Sequence, residues 1–339
     1  MTANLTTQQR LDIQVFSHKG NVPKEEIEKY HLDCRAYPSA DSLVAEVKRR
    51  WQQDGIMIVS HSEMQHLSEL KRWGEMIFQD FVDYEGGSAP RSSWGEGVFN
   101  IDDTPAHIDM CYHNELCYLP SFPRCFLVGS LATPAQGGET LVSDNRVTTH
   151  ALLNTEVGQQ LKQRRVRYTR NMTDKNVGGL SYKSWQDTFR TESRADVERY
   201  IANTDWDYQW LDNGGLRTSY VVDAYEFHPD LQENLFFSGM VSHASFFDQW
   251  IGFNALDDEA RPFTMTYGDG TPFSHAELQT LFDVYNVRSF PVTWQHFDLA
   301  ILDNLRWTHA RPAFHLKEGE RRVMGVAMGM MTKRIGARF

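Results

Sequence analysis

Cysteine is scarce in this chain: there are four in 339 residues, Cys34, Cys111, Cys117 and Cys125, with no CxxC pair and no zinc-finger spacing. That excludes a disulfide scaffold and leaves buried free thiols in a reducing compartment as the expectation. Long apolar runs are also missing. No stretch approaches the roughly 20 residues of a membrane span, and the opening MTANLTTQQRLDIQ lacks the basic start and apolar core of a signal peptide. Basic residues are in deficit, 34 Lys and Arg against 45 Asp and Glu, for a formal net charge of -11. Phosphate backbones want a basic face, so nucleic acid is excluded as the natural partner, and an anionic membrane surface is disfavoured on the same ground. The expectation is a cytoplasmic protein acting on a small molecule.

What is present is ordinary globular material, 41% hydrophobic and 23% charged. A chain of this length buries about three quarters of its unfolded surface. Residues 1–38 are polar and read as an N-terminal extension with a short helix near Pro23–Tyr30. Ser39 is a helix cap ahead of Leu43, Val44, Val47 and Trp51, and Gly55 ends that helix. A buried strand at Ile56–Ser60 and a helix at about Glu63–Phe78 follow. The Gly- and Ser-rich segment from Tyr84 to Pro105 also carries Tyr84, Trp94 and Phe99, which suits an ordered loop near a site rather than a linker. Further strands are expected at Met110–Tyr118, Cys125–Leu131, Glu139–Asp144, Asn234–Ser238, Val292–Trp294, Asp298–Asp303, Arg306–His309 and Arg321–Met328. Trp206–Leu211 and Leu216–Val221 flank the turn signal Asp212-Asn213-Gly214-Gly215. Ser274 and Glu277 form a capping-box pattern for a helix to Tyr285. No repeat or clean boundary is visible. Strands at both ends flank a helix-containing insert at about 145–230, which predicts one domain over 1–339, mainly β with decorating helices (α+β).

The chemistry lies in three pieces. In Tyr112-His113-Asn114-Glu115, an imidazole and a carboxylate stand two apart, so on a strand they share a face. Much later, an apolar strand runs into Asp303–Asn304 and a second strand delivers His309. Beyond it, Arg321-Arg322 opens another apolar strand. Two histidines and one carboxylate on one side of a metal leave open positions, the arrangement of iron(II) oxygenases. An arginine at the mouth of the last strand is suited to hold the far carboxylate of a chelating 2-oxo diacid. Strand side chains alternate, so only one of Arg321 and Arg322 faces the site.

In order along the chain stand Gly87-Ser88-Ala89-Pro90-Arg91, His113-Asn114-Glu115, Pro134-Ala135-Gln136-Gly137-Gly138-Glu139-Thr140, Tyr267-Gly268-Asp269-Gly270-Thr271-Pro272, Leu302-Asp303-Asn304, His309-Ala310-Arg311 and Arg321-Arg322. This ordered set resembles the taurine dioxygenase and clavaminate synthase-like superfamily of iron(II), 2-oxoglutarate-dependent oxygenases. Within it the chain is most similar to the amino-acid hydroxylase branch, of which the aspartyl hydroxylase of syringomycin assembly is an example. The resemblance implies a double-stranded β-helix (jelly roll) core and Fe(II), 2-oxoglutarate and O2 as cofactor and co-substrates. It implies His113, Glu115 and His309 as iron ligands. It also puts Arg322, helped by Thr140, on the distal carboxylate, with Arg321 as the alternative. The substrate it implies is an amino acid or amino-acyl group, free or on a carrier protein. Arg91, Asn100 and Arg306 are the candidate substrate contacts. Three departures matter. Glu115 stands where halogenating relatives carry a small residue, Val326 stands where the taurine branch carries its sulfonate arginine, and Ala310 replaces the usual glycine. Hydroxylation is the expected outcome; epoxidation or desaturation uses the same cofactor. The other classes consistent with these residues are a jelly-roll metal isomerase or hydrolase and a non-catalytic jelly-roll binding protein.

Overall fold

A computed structural model describes residues 5–16, 22–82, 84, 86–88, 91–95, 97–101, 104–239 and 246–339. Ala89 and Pro90 of the sequence motif, and parts of the extension and of the 84–105 loop, lie outside these. Alternating apolar residues build two facing sheets. The larger runs in the order His31–Asp33, Ile56–Ser60, Leu299–Asp303, Ser121–Ala132, Val323–Lys333, Val98–Asn100, Ser93–Gly95. The smaller runs Ser289–Val292, Thr140–Asp144, Trp307–Arg311, Met110–His113. Together they form the expected jelly-roll core. The extension thus supplies an edge strand, His31–Asp33, paired in parallel with Ile58–Ser60.

The period-two alternation of Ser121–Ala132 divides the core. Phe126 and Val128 point between the sheets, while Cys125 and Leu127 point outward under the helices. The outer layer is the helix Ala40–Asp54, capped by Ser39 and ended by Gly55 at φ 63, together with Leu70–Glu75. Val47, Leu70 and Trp73 bury against Met57, Leu127 and Ile301, each large side chain contributing about 1.5–3 kcal/mol. The helix expected at Glu63–Phe78 is shorter, a 3-10 turn at Leu67–Glu69 leading into Leu70–Glu75. His61 and Glu63 adopt positive φ, which keeps the chain irregular before that point. Cys111, Cys117 and Cys125 are buried free thiols, and Cys34 is half-buried.

The segment 145–230 contributes the helices Asn145–Leu153, Glu156–Arg164, Trp185–Phe189 and Arg194–Ile201. It also supplies three strands of a four-stranded sheet whose fourth is Phe263–Tyr267. The hairpin expected around Asp212–Gly215 is present, with Leu216 opposite Trp210. The strand anticipated at Asn234–Ser238 is Glu233–Phe236, paired with Tyr225–His228. No helix among the described residues is long and apolar enough to cross a membrane.

At the end of the strand that leads toward the site, Asp303 is fully buried between Arg124 (Nη2 to Oδ2, 2.6 Å) and His228 (Nε2 to Oδ2, 3.1 Å). Burial alone would raise its carboxyl, but the hydrogen bonds from His228 and Arg124 hold it down at about 2, against an ordinary 3.8. A depressed carboxylate contributes stability above its unfolded value and loses it as pH falls toward the folded one. Thermal stability is therefore expected to drop between about pH 4 and pH 2 through this group. Asp303→Asn, which leaves Arg124 with only the exposed Asp230 (3.0 Å) as a carboxylate partner, is expected to cost about 3 kcal/mol at neutral pH. Denaturant unfolding at both pH values checks this; an unchanged midpoint at neutral pH would count against the assignment.

Candidate active site

His113 and His309 are cross-strand partners on Met110–His113 and Trp307–Arg311. Directly opposed residues in an antiparallel pair bring their side chains together, and the two imidazole centroids lie 4.3 Å apart. His309 stacks on Phe126 of the facing sheet at 4.5 Å and 19°. Glu115 reaches the same point by a different route from the one its spacing suggested. The strand ends at His113, and Glu115 sits in the turn that follows, where Leu116 has φ 54. What holds that turn is Asn304. Its side chain accepts from the Glu115 amide (2.7 Å) and donates to the Glu115 and Pro123 carbonyls (2.9 Å each). Asn114, buried beside it, donates to the Asn304 and Trp307 carbonyls.

One ligand atom from each of His113, Glu115 and His309 lies within 4.8 Å of the others. The donor set fits a divalent transition metal. Nδ1 of His113 lies 2.9 Å from the Cys111 carbonyl; donating there leaves the Nε2 lone pair for a metal. Burial, with His113 and the Arg91 guanidinium nearby, pushes His309 well below the usual imidazole value, so it is neutral, as a ligand must be. Its Nδ1 is buried with no hydrogen-bond partner among the described residues.

Two cavities meet at this cluster. One passes His113, His309 and Thr140 to Arg311 and Arg322. Thr140 is buried on Thr140–Asp144 and accepts from Trp294 Nε1 at 3.0 Å. Arg322 is half-buried and donates through Nε to the Gly138 carbonyl at 2.9 Å, whereas Arg321 is exposed. Arg311, part of a motif but not anticipated as a site residue, is buried in the same cavity and donates to the Ala106 and Pro105 carbonyls. The other cavity lies past Glu115 and is walled by Tyr84, Ser88, Tyr118, Tyr182 and Phe246. From the 84–105 segment, Tyr84, Ser88, Arg91 and Ile101 therefore line the site.

The three candidate substrate contacts separate. Arg91 lines both cavities and pairs with Glu115, Nη2 to Oε2 at 2.9 Å. Asn100 sits on Val98–Asn100 opposite Gly325 and lines neither cavity. Arg306 is buried elsewhere, donating to the Gln53 carbonyl at 2.8 Å and tying the 303–307 turn to the end of a helix. Sequence reasoning did not find Lys183 and Arg170. They stand behind the loop, donating to the Gly87 and Gly86 carbonyls at 2.7 Å each. Burial, then Arg170 and Arg91, push the Lys183 amine down to about 7.

The family model for taurine catabolism dioxygenase TauD, TfdA family, matches residues 21–328. The chain belongs to the TauD/TfdA family. It is an iron(II)- and 2-oxoglutarate-dependent dioxygenase, and bound iron(II) supplies the centre at which 2-oxoglutarate and O2 react. Among TauD/TfdA-like relatives, the dapdiamide synthesis protein DdaC of Enterobacter agglomerans is 27% identical over 269 residues, 78% of each chain. A clavaminate synthase-like protein of Arabidopsis thaliana is 24% identical over 239 residues, 69% of this chain and 70% of that one. Of solved folds, AAD-2 in complex with Mn(II) and N-oxalylglycine superposes with TM-score 0.52 at 12% identity, covering 89% of this chain and 92% of its own. A taurine dioxygenase from Burkholderia xenovorans gives 0.51 at 11%, covering 88% and 83%. These two likenesses show the TauD-type fold alone.

Proposed function

We propose that this dioxygenase hydroxylates an amino acid or amino-acyl substrate, free or tethered to a carrier protein, in natural-product biosynthesis, releasing succinate and CO2. In this reading His113, Glu115 and His309 hold the iron. Arg322, seconded by Thr140, takes the distal carboxylate of 2-oxoglutarate, and the substrate enters the aromatic cavity beyond Glu115. The carrying observation is the gathering of the three donors within 4.8 Å where the two cavities meet. The jelly roll thereby separates a co-substrate side, ending in arginines, from a substrate side.

The amino-acid class is supported from several directions. The H-x-E pattern resembles the amino-acid hydroxylase branch, and a relative over most of the chain is a dapdiamide synthesis protein. Val326, fully buried on the inner face, offers no guanidinium to a sulfonate. Arg91 borders the aromatic cavity, and its guanidinium, already bonded to Glu115 through Nη2, is the cation there that a carboxylate-bearing substrate would meet. Glu115 occupies the position that halogenation would need vacant.

The test is succinate release across free amino acids, amino-acyl carrier proteins and small amides, with product masses. Gain of one oxygen supports hydroxylation, with product NMR separating it from epoxidation; loss of two hydrogens identifies desaturation. Coupled turnover confined to sulfonates or aryloxy acids would overturn the substrate class.

A further inference from the structure

We propose that Arg91 is a positioning residue that restricts Glu115 to one oxygen on the metal, keeping the positions that 2-oxoglutarate and O2 require. The proposal rests on the reading of His113, Glu115 and His309 as the ligands. A carboxylate can grip a metal through one oxygen or both. With two histidines on a six-coordinate ion, a second carboxylate oxygen would occupy a place needed by a chelating co-substrate plus O2. Something must therefore occupy that oxygen.

Arg91 has the geometry to do so. Its Nη2 lies 2.9 Å from Glu115 Oε2, and the two side chains are only 4% and 5% exposed. A buried charge-assisted bond of this length is among the strong ones. The guanidinium is itself held, lying 4.3 Å over the Tyr84 ring. Asn304 already fixes the Glu115 backbone on both its amide and its carbonyl. Only the side-chain torsions remain, and the Arg91 bond sets them. Arg91 also borders both cavities. Its charge thus faces the co-substrate side while its bond defines the wall on the substrate side. A purely structural arginine would have no reason to end on the carboxylate of the metal cluster at the junction of two cavities.

The test uses the full chain with Mn(II) as probe metal, followed by EPR, and 2-oxoglutarate binding at saturating Mn(II), followed by calorimetry. Arg91→Met frees the second oxygen. The freed oxygen can itself grip the metal and so offset the roughly 10–100-fold loss of metal affinity usual for an outer-shell partner. The Mn(II) dissociation constant is therefore expected to stay within about threefold, while that of 2-oxoglutarate, which competes with that oxygen, rises at least about tenfold. The zero-field splitting of bound Mn(II) should change with it. Arg91→Lys keeps charge without the planar fork and should recover part of the 2-oxoglutarate affinity. If both constants rise together, the residue serves the fold; if neither moves, Glu115 needs no such restraint. Either result overturns the proposal while leaving the metal site standing. Wild-type protein that binds no Mn(II), or Glu115→Ala that binds it as well as wild type, removes the ligand reading and this proposal with it.

Discussion

His113→Ala is expected to lose the weak visible charge-transfer band that iron(II) and 2-oxoglutarate together give the wild-type protein under anaerobic conditions. The band requires metal and chelating co-substrate in one site, so it reports the assembled cluster without turnover. Of the three donors, His113 is the one whose free ring nitrogen is fixed, because Nδ1 is engaged at the Cys111 carbonyl. Removing the ring leaves Glu115 and His309 as the ligands. Outer-shell partners alone typically carry 10–100-fold in metal affinity, so loss of a direct ligand should exceed about 100-fold. The fold should tolerate it: the deleted ring is half-buried, and the lost hydrogen bond is worth about 1 kcal/mol. Thermal unfolding of the variant separates a missing ligand from a missing fold. A full-strength band in a folded His113→Ala protein would sink the ligand assignment.

Legibility in the sequence follows the range of the interactions involved. Elements written in local pattern are where the sequence puts them. Ser39 and Gly55 bound a helix, Ser274 and Glu277 cap another, and the continuous apolar runs of Ile56–Ser60 and Leu299–Asp303 make adjacent buried strands. The partnership of His113 with His309 required the ordered family motifs, since no local pattern pairs strands so far apart in the chain. Two features were hidden for a tertiary reason. Glu115 shares a side with His113 because a turn clasped by Asn304 folds it back, whereas strand spacing had suggested a continuous face. Arg91 and Arg306 look alike in sequence as arginines beside motifs. One ends on Glu115 and the other on the Gln53 carbonyl, a difference set by which distant segment packs against each. Asn304 was visible as part of a motif, and only the fold shows what its amide holds.

The choice between Arg321 and Arg322 yields the other large effect. The strand expected from Arg321 begins at Val323, so both arginines stand just before it, outside the ladder, and only Arg322 turns inward. Arg322 borders the cavity beside His309 with Thr140, and its Nε donates to the Gly138 carbonyl, which aims the rest of the guanidinium; Arg321 is exposed. Gly138 itself has φ 74, and a Cβ there would come within 3.1 Å of the Arg322 side chain, so the turn and the arginine are fitted to one another. Charge-assisted hydrogen bonds contribute about 1.5–3 kcal/mol each. Arg322→Ala is therefore expected to raise the 2-oxoglutarate concentration needed for half-maximal charge-transfer absorbance by about 100-fold, with Mn(II) affinity nearly unchanged. Arg321→Ala, which removes a solvated charge, should shift it less than about twofold. Arg322→Lys retains a point charge but loses the fork, and should fall between. The opposite ranking of the two alanine variants would mean that the segment leading into Val323–Lys333 turns Arg321 inward instead, and would move the co-substrate carboxylate to Arg321. Equal, small effects would instead assign the distal carboxylate to Arg311, a buried cation of that cavity not engaged with Glu115, whose guanidinium the 104–106 carbonyls already hold.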